Sequence, residues 1–470
     1  MRKVRGRAMV RRVEDQLRNS DELSLMFGFQ NLSDGVRSKT LVQTRGEGIF
    51  VFDEQGKDYL EATSSFYCAA LGYSEPELID AAVEQYQKLP FYISAQQKSV
   101  PVVLELADKL AALVPMENAK VAFGATGSEA NEFLLKFVHF RNIMNGEEKR
   151  TKVIARLGSY HGGTLVASSL TGFTDHHAEF GLPLPGIFHV AQPDHYNQAY
   201  EGESEDAYAT RLVADLDTLL QKEDPETFAA FITEPVSFSC GLLTPPATYF
   251  QKLQALLRGY GIRYLDDEVV TGFCRTGNFW GAETYGIDPD CMTMAKSITS
   301  AYFPVSAVAM SGEFYEGLEK GSDALGTFAH AGTYAGHPVG AAVALKTIEI
   351  IEKRNLLGNA RAMGAVLGSK LAGYADHPLV GKVRHVGLAG SVEFVLDKAT
   401  KRRADKPGSI AGFFGERALA HGLMVRATGE CAVLAPPLVI TANEIDELFR
   451  RFDLALADTL DWASREHGVV

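Results

Sequence analysis

Two charged residues stand at the ends of apolar runs, where charge is costly. The run IRYLDDEV ends in Asp266, Asp267 and Glu268, and the alternation of side chains along a strand turns Asp267 to the face opposite its two neighbours. Lys296 ends the next apolar run, CMTMAK. A lysine there is paired or chemically engaged. The pair is therefore either an ion bridge between adjacent strands or part of a catalytic site.

A glycine turn follows the run KVAF. Thr126 and Glu129 fit a capping box, and the backbone N–H groups of Gly127 and Ser128 would lie at the start of a helix, where the helix dipole favours a phosphate. Taken alone, the same turn is also typical of a well-capped helix that binds nothing.

Two further runs end in groups that suit a cofactor. Tyr160 and His161 enter a glycine turn in SYHGGT, and Glu234 closes the run AAFIT just before Pro235. Ligands of an open parallel sheet bind at the carboxyl ends of its strands. An aromatic ring, acids, a lysine and a phosphate turn are together the parts that hold pyridoxal phosphate.

The elements that must position these residues have an α/β pattern. Between about residues 102 and 345, short β-branched runs alternate with amphipathic helices, and the runs are KVAF, KVIAR, AAFITEPV, IRYLDDEV, CMTMAK and VSAVAM. This alternation predicts a parallel sheet covered by helices on both faces. We expect a large domain at 76–345 and a small α+β domain at 346–470, with an N-terminal segment at 1–75 that carries a β-hairpin at 49–61 and is part of the small domain.

Seven motifs in a fixed order carry a family resemblance. They are ATGSEANE, SYHGGT, ITEPV, LDDEVVTGFCRTG, MAKSITSAYFP, HAGTYAGHPV and VRATGECAVLAPPLVIT, spread from about residue 40 to about residue 450. The sequence resembles the fold-type I, class III pyridoxal-phosphate aminotransferases, which include the ω-aminotransferases. The resemblance implies a large domain with a mainly parallel sheet sandwiched by helices, joined to a small α+β domain.

The resemblance implies a role for each cofactor residue. Lys296 matches the Schiff-base lysine, which then serves as the base, and Asp267 matches the acid that keeps the pyridine nitrogen protonated. Tyr160 and Val269 would pack on the two ring faces, and Glu234 would lie near the phenolic side. The phosphate would bind at Thr126, Gly127 and Ser128, with Thr333 of the neighbouring subunit reaching it across a homodimer interface.

The substrate side is also implied by the resemblance. Arg426 matches the arginine that grips a substrate carboxylate, although a strand arginine paired with Glu430 is the plain structural alternative. Tyr67, with Phe66 and Phe91, would form apolar walls for the amine, and Tyr160 would border the substrate as well.

Several residues depart from the family pattern. Ser297 and Ala301 stand where relatives commonly have glycine, Cys274 replaces a glycine, and residues 237–240 replace a glycine-rich run. The pocket therefore does not match any one subgroup, and the sequence does not name the amine or its chirality.

Composition excludes several other classes of protein. The 46 basic and 59 acidic residues give a net charge of −13, which is unsuited to nucleic acid. No apolar run is long enough for a membrane span, and the basic first stretch is read as a surface tail, so we expect a cytoplasmic protein. Five cysteines without a CxxC pair disfavour disulfides and zinc. The cluster at 175–179, DHHAE, is predicted to be a polar loop without a metal.

The predicted function is a homodimeric aminotransferase. It would move an amino group from a primary amine or ω-amino acid to a 2-oxo acid by a ping-pong cycle, and pyruvate, which gives alanine, is the acceptor that the resemblance implies. An aminomutase or lyase on the same fold is the nearest alternative. A non-catalytic cofactor-binding regulator is disfavoured by the presence of both Asp267 and Lys296.

Overall fold

The computed structural model describes residues 23–469, so the basic first stretch lies outside the described residues. Two compact units divide the chain: the smaller extends to Gly46 and includes Val51–Asp58, and the larger takes in Glu47–Phe50 and everything from Tyr59 onward.

The smaller unit is short and largely exposed. It contains two 3₁₀ helices, Leu32–Asp34 and Arg37–Lys39. The predicted turn at 53–56 is present, because the Asp53 carboxylate accepts hydrogen bonds from the backbone N–H groups of Gln55 and Lys57, each at 2.9 Å.

The helices and strands have the following bounds. The strands are β1 (Gln43–Glu47), β2 (Phe50–Asp53), β3 (Asp58–Glu61), β4 (Lys120–Gly124), β5 (Lys152–Arg156), β6 (Ile187–Val190), β7 (Phe228–Thr233), β8 (Arg263–Asp267), β9 (Cys291–Met294), β10 (Ser306–Met310), β11 (Val380–Val386), β12 (Ala389–Phe394), β13 (Leu423–Met424), β14 (Arg426–Thr428) and β15 (Cys431–Leu434). The helices are α1 (Ser64–Tyr67), α2 (Pro76–Lys88), α3 (Pro101–Leu113), α4 (Gly127–Met144), α5 (Leu165–Leu170), α6 (His195–Gln198), α7 (Glu205–Glu223), α8 (Tyr249–Tyr260), α9 (Gly281–Tyr285), α10 (Gly312–Leu325), α11 (Pro338–Lys353), α12 (Leu356–Ala372), α13 (Ser409–Ala420) and α14 (Ala442–His467).

The larger unit contains the predicted sheet, with seven strands in the order β4-β10-β9-β8-β7-β5-β6. Six strands run in one direction, and β10 is antiparallel to both of its neighbours. The prediction that the run VSAVAM is a parallel strand is therefore wrong. The connection from β9 to β10 holds only a 3₁₀ helix, Lys296–Ile298, and a parallel neighbour needs a longer crossover that is usually an α-helix. The sequence prediction also missed β6.

Helices cover both faces of this sheet, as the alternation predicts. Alternate residues of each strand enter two separate clusters of buried side chains: Ile154 and Phe231 pack on the side of α7 and α8, whereas Val153 and Ile232 pack on the side of α4 and α10. All six residues of β7 are buried. Burial on both faces is typical of a parallel sheet in an α/β fold.

The remainder of the larger unit is α+β in character. An antiparallel sheet has the order β11-β12-β15-β14; α12 and α13 pack beside it, and α14 packs against those two helices. Strand β3 pairs in parallel with β13, opposing Glu61 to Met424. Both regions lie in one compact unit, and the division into a large and a small domain remains a prediction.

None of the helices within residues 23–469 is long and apolar enough to cross a membrane. Nor do three or more metal-ligating side chains converge anywhere in that range. In the cluster at 175–179, His177 lies between two 3₁₀ helices and its Nε2 is 3.0 Å from the Ser168 carbonyl oxygen.

Candidate active site

The predicted residues follow strands that end at the same edge of the sheet. Because β4, β5, β7, β8 and β9 run in the same direction, their carboxyl ends lie along one edge. The residues found at or just after these ends are Thr126, Gly127, Ser128, Tyr160, His161, Glu234, Asp267, Val269 and Lys296.

Asp267 is buried and held by three hydrogen-bond partners. Its Oδ2 accepts from Asn131 Nδ2 at 2.9 Å and is 2.7 Å from His161 Nδ1, and its Oδ1 accepts from the Val269 backbone N–H at 3.0 Å. Thr293 in turn donates to Asn131 at 2.9 Å. These contacts fix the orientation of the carboxylate. Sequence reasoning missed Asn131, whose position one helical turn after Gly127 was the available signal.

The neighbouring acids face the other way, as alternation predicts. Glu268 accepts hydrogen bonds from the Ala282 N–H at 2.6 Å and the Thr271 hydroxyl at 2.5 Å. Asp266 is buried, and neither of its carboxylate oxygens has a partner among residues 23–469. Burial, reinforced by the charges of Glu268 and Asp267, raises the pKa of Asp266 well above its ordinary range.

Lys296 is held close to aromatic and thiol groups. Its backbone is left-handed, with φ of 47°, and its Nζ lies 5.7 Å from the centre of the Tyr67 ring. Burial lowers the pKa of the Lys296 amine, while Cys68 and Asp267 act in the opposite sense. The predicted alternative, an ion bridge from Lys296 to Asp267, is absent from the ion pairs of the described residues.

The turn before α4 is tightly packed. Thr126 caps the helix by accepting from the Glu129 N–H at 3.1 Å. The capping box is only half formed, because the Glu129 carboxylate accepts from the Ala125 N–H at 2.5 Å instead of from Thr126. A Cβ on Gly127 would lie 3.1 Å from Val269 Cγ1, so a side chain there would require Val269 to move by a few tenths of an ångström.

The turn that carries Tyr160 packs against the same helix start. The Gly163 N–H donates to the Ser128 hydroxyl at 3.0 Å. Gly162 has φ of +144°, and a Cβ there would be 2.4 Å from Ser128 Oγ. Tyr160 itself is half-buried. Burial raises the pKa of its phenol, and the charge of Arg426 opposes that rise.

Glu234 is buried at the end of β7. It accepts from the Ser237 hydroxyl, and Arg156 Nη2 donates to its backbone oxygen at 2.6 Å. Burial raises the pKa of the Glu234 carboxyl. Ser237, one of the departures from the family pattern, is thus a partner of the predicted cofactor acid.

The predicted substrate residue Tyr67 lies on a left-handed turn of four residues without glycine. Ser64, Ser65, Phe66 and Tyr67 have φ values of 51°, 48°, 59° and 68°. The turn is closed by hydrogen bonds from the Tyr67 and Cys68 N–H groups to the Thr63 and Ser64 carbonyls, at 2.7 and 2.8 Å. Left-handed helical backbone costs about 1–2 kcal/mol for each residue with a Cβ. Strain of this kind persists where surrounding contacts enforce it.

Arg426, at the start of β14, lies over this turn. Its Cζ is 4.7 Å from the centre of the Phe66 ring, and its Nε is buried without a partner among the described residues. The alternative pairing with Glu430 is absent, since the Glu430 carboxylate accepts from the backbone N–H groups of Gly408 at 2.8 Å and Ala411 at 3.5 Å.

Two predicted residues lie on a separate surface. The Phe91 ring is 5.8 Å from Tyr334 and 5.4 Å from His337, and Thr333 is exposed beside Tyr334. The structure therefore groups Phe91 with the Thr333 segment and not with Tyr67.

Two of the departures from glycine sit in backbone that favours glycine. Cys274 has φ of 75° and Ala301 has φ of 66°, so each carries a Cβ in the left-handed region.

Comparison with known proteins identifies the family. The profile described as "Aminotransferase class-III" matches residues 32–456. The chain belongs to the class III aminotransferases. It is 40% identical over 420 residues to gamma aminobutyrate transaminase 3, chloroplastic, of Solanum lycopersicum, covering 89% of this chain and 81% of that one. It is 39% identical over 420 residues to vanillin aminotransferase of Capsicum chinense, covering 89% and 92%. The omega transaminase of Pseudomonas jessenii in complex with PMP superposes with a TM-score of 0.92 at 40% identity, covering 94% of this chain and 98% of that one.

Class III aminotransferases use pyridoxal phosphate, so the predicted enzyme class and cofactor are confirmed. The residues found here fit that group. A helix start with glycine at its first position suits a phosphate, an oriented acid suits a ring nitrogen, and a lysine amine without an ion-pair partner in the described chain suits a carbonyl carbon.

Proposed function

We propose that this aminotransferase moves an amino group from a primary amine or ω-amino acid to a 2-oxo acid. The observation that carries the proposal is the placement of Lys296 and Arg426 against neighbouring rings of one turn, Tyr67 at 5.7 Å and Phe66 at 4.7 Å. A substrate with an amine at one end and a carboxylate at the other can engage both groups.

The cofactor residues divide by the part of the group they would hold. Thr126, Gly127 and Ser128 would bind the phosphate at the start of α4, and Asp267 would hold the proton on the ring nitrogen. Tyr160 and Val269 would pack on the ring faces, and Glu234 would lie at the phenolic side. When bound, pyridoxal phosphate supplies a carbonyl that condenses with amines and a ring that withdraws electrons from the adjacent bond.

Lys296 would be the base. Because burial lowers the pKa of its amine, a larger fraction of the amine is neutral near pH 7 than for an exposed lysine. A neutral amine can accept the proton from the substrate carbon and return it at the neighbouring position.

Arg426 would bind the substrate carboxylate. Its guanidinium offers a planar pair of donors, and its buried Nε has no protein acceptor in the described chain. Tyr67 and Phe66 would line the space between the two ends, with Tyr160 beside them. Two relatives are named gamma aminobutyrate transaminase and vanillin aminotransferase. These names support a donor whose amino group is not on the carbon next to a carboxylate.

The acceptor is proposed to be pyruvate, which would leave as alanine. The same Arg426 would receive the carboxylate of the acceptor after the first product departs, which is the basis of a ping-pong cycle with one shared site.

We also propose a homodimer with shared active sites. Tyr334 is 66% exposed, and Phe91, Tyr92 and Ile93 form an exposed apolar run on the surface that includes Thr333. An apolar patch of this kind is typical of a protein interface, and it would bring Thr333 of one subunit to the phosphate of the other. Sedimentation analysis tests the dimer, and a monomer that is fully active would contradict it.

Amino transfer is tested with purified holoenzyme and a panel of amines, including 4-aminobutanoate, with and without pyruvate. We expect an amine to convert the bound cofactor to its amino form, seen by absorbance, and pyruvate to restore it with release of alanine. Conversion without transfer to any 2-oxo acid would favour the aminomutase or lyase alternative.

A further inference from the structure

The left-handed turn at 64–67 is too costly to persist without support, and its support begins at one side chain. Glu61, the last residue of β3, is buried. Its Oε1 accepts from the Thr63 N–H at 3.0 Å and from the Thr63 hydroxyl at 2.7 Å. Its Oε2 accepts from the Ser65 N–H and from the Tyr73 hydroxyl at 3.1 Å.

Glu61 takes the place of an ordinary helix cap. In a right-handed helix, the side chain of the residue before the first turn accepts from the orphan N–H groups. Thr63 stands at that position and makes no such bond; its hydroxyl donates to Glu61 instead. The Ser65 N–H, an orphan donor of the turn, is satisfied by Glu61.

Glu61 and the turn lie next to the chain segments that carry the proposed substrate residues Phe66 and Arg426. Glu61 opposes Met424 in the pairing of β3 with β13, two residues before Arg426. The turn itself is anchored further by Ser64, whose hydroxyl donates to the Ala435 carbonyl at 2.7 Å and accepts from Arg275 at 3.4 Å. The exposed face of the turn carries Phe66 under the Arg426 guanidinium.

We infer that Glu61 is a positioning residue for the carboxylate end of the substrate: its carboxylate holds the left-handed turn and thereby sets Phe66 against Arg426. The inference rests on the proposed function, because it takes Arg426 to be the carboxylate site. Glu61 itself does not touch substrate.

The first test needs no substrate. Glu61→Gln keeps the size of the side chain but replaces one acceptor oxygen by a donor. In the holoenzyme we expect amide hydrogen exchange over residues 64–68 to rise about tenfold, with exchange over α4 unchanged. Glu54→Gln, at an exposed glutamate, is the matched control and should match the unmodified enzyme. Unchanged exchange in Glu61→Gln would overturn the inference.

The second test separates positioning from general destabilisation. KM is compared for 4-aminobutanoate and butylamine, which share a four-carbon chain and differ in the carboxylate. We expect Glu61→Gln to raise KM for 4-aminobutanoate roughly tenfold and KM for butylamine less than threefold. Equal changes for both would overturn the assignment to the carboxylate end.

A rescue variant tests whether Glu61 acts through the turn. Ser65 has φ of 48°, which glycine adopts without steric cost. Adding Ser65→Gly to Glu61→Gln should therefore return exchange and the 4-aminobutanoate KM to within about threefold of the unmodified enzyme. A folded double variant without recovery would show that Glu61 acts by another route and overturn the inference.

The inference can still be tested if Glu61→Gln does not fold or if the unmodified enzyme uses neither amine. If Glu61→Gln yields no folded holoenzyme, Thr63→Val removes the hydroxyl that donates to Glu61 at 2.7 Å and should shift KM in the same direction about threefold; no shift would overturn the inference. If the unmodified enzyme transfers from neither amine, the proposed function fails on these donors, and hydrogen exchange alone decides whether Glu61 holds the turn.

Discussion

Asp267 and Lys296, on the proposed cofactor side, are positioned by different means from Phe66 and Arg426, on the proposed substrate side. Asp267 ends β8 and pairs with Thr293 of the adjacent parallel strand β9, and Lys296 follows the end of β9. Phe66 lies on a strained turn, and Arg426 comes from a strand of a different sheet, more than three hundred residues later in the chain. The ends of adjacent parallel strands place the first pair, although Lys296 itself has left-handed backbone, and side-chain contacts such as those of Glu61 place the second.

The two sides should therefore respond differently to amino-acid substitutions. Sheet geometry is maintained by many backbone hydrogen bonds, so a substitution on the cofactor side should act on the chemistry and leave the placement intact. The substrate side depends on a few hydrogen bonds against unfavourable backbone. Substitutions there should change which substrates are accepted.

The largest effect is expected from Lys296→Ala. Removing the proposed base should reduce amino transfer on the order of 10³-fold or more, while circular dichroism shows an intact fold. Lys320→Ala, at an exposed lysine of α10, is the control and should be fully active. Amino transfer at a normal rate by Lys296→Ala would show that Lys296 is not the catalytic base.

Asp267→Asn should lower the rate on the order of 100-fold and weaken cofactor binding, because a neutral amide cannot hold the ring nitrogen proton. Asp266→Asn is a matched control on the same strand and the opposite face. Burial raises the pKa of the Asp266 carboxyl and so favours its neutral form, and its side chain faces away from Asp267, so its replacement should change the rate less than threefold. Similar losses in both variants would assign the Asp267 effect to strand stability.

Arg426→Ala should raise KM for amino acids and 2-oxo acids roughly 10- to 100-fold, the value of a charged hydrogen-bond pair. Simple amines should be affected much less, because they present nothing to the guanidinium. The measurement is the ratio between the increase in KM for amino acids and 2-oxo acids and the increase in KM for simple amines. A ratio near one would make Arg426 a structural residue.

The pH dependence of stability tests the raised pKa of the Asp266 carboxyl. Its folded pKa is raised above the unfolded value, so between the two values the folded state binds more protons and stability falls as pH rises. Asp266→Asn should remove this loss of stability with rising pH. Within this window, its free energy of unfolding should rise relative to that of the unmodified protein by up to about 1.4 kcal/mol per pH unit. Melting temperatures from pH 4 to 8 measure the gain, with the exposed Asp405→Asn as control. Parallel curves would contradict the raised pKa.

The smallest effect is expected from Ala301→Gly. Ala301 has φ of 66° and is exposed, so glycine should relieve backbone strain and stabilise the fold by about 0.5–1 kcal/mol. Ala214→Gly in α7 should destabilise it by about the same amount, because Ala214 is exposed in a regular helix. Chemical denaturation measures both.

Much of the cofactor side could be predicted from the sequence. Strand periodicity located β8 and β9, and the carboxyl-end rule selected Asp267, Lys296 and Glu234. The direction of β10 was not predicted correctly, because strand patterning does not state whether a connection crosses the sheet. Asn131 was missed because its position one helical turn after Gly127 does not by itself show that its side chain is buried beside Asp267.

Local residue types by themselves determined the alternation of strands and helices, the strand ends with their charged residues, and the motifs of a class III aminotransferase. These follow from short-range periodicity and turn chemistry, which a sequence displays directly. Only the tertiary structure decided that Phe66 lies under Arg426, that Glu61 caps a left-handed turn and that Phe91 groups with Tyr334. Such contacts join segments distant in the chain, and left-handed backbone at residues with a Cβ is contrary to local preference, so the surrounding packing has to impose it.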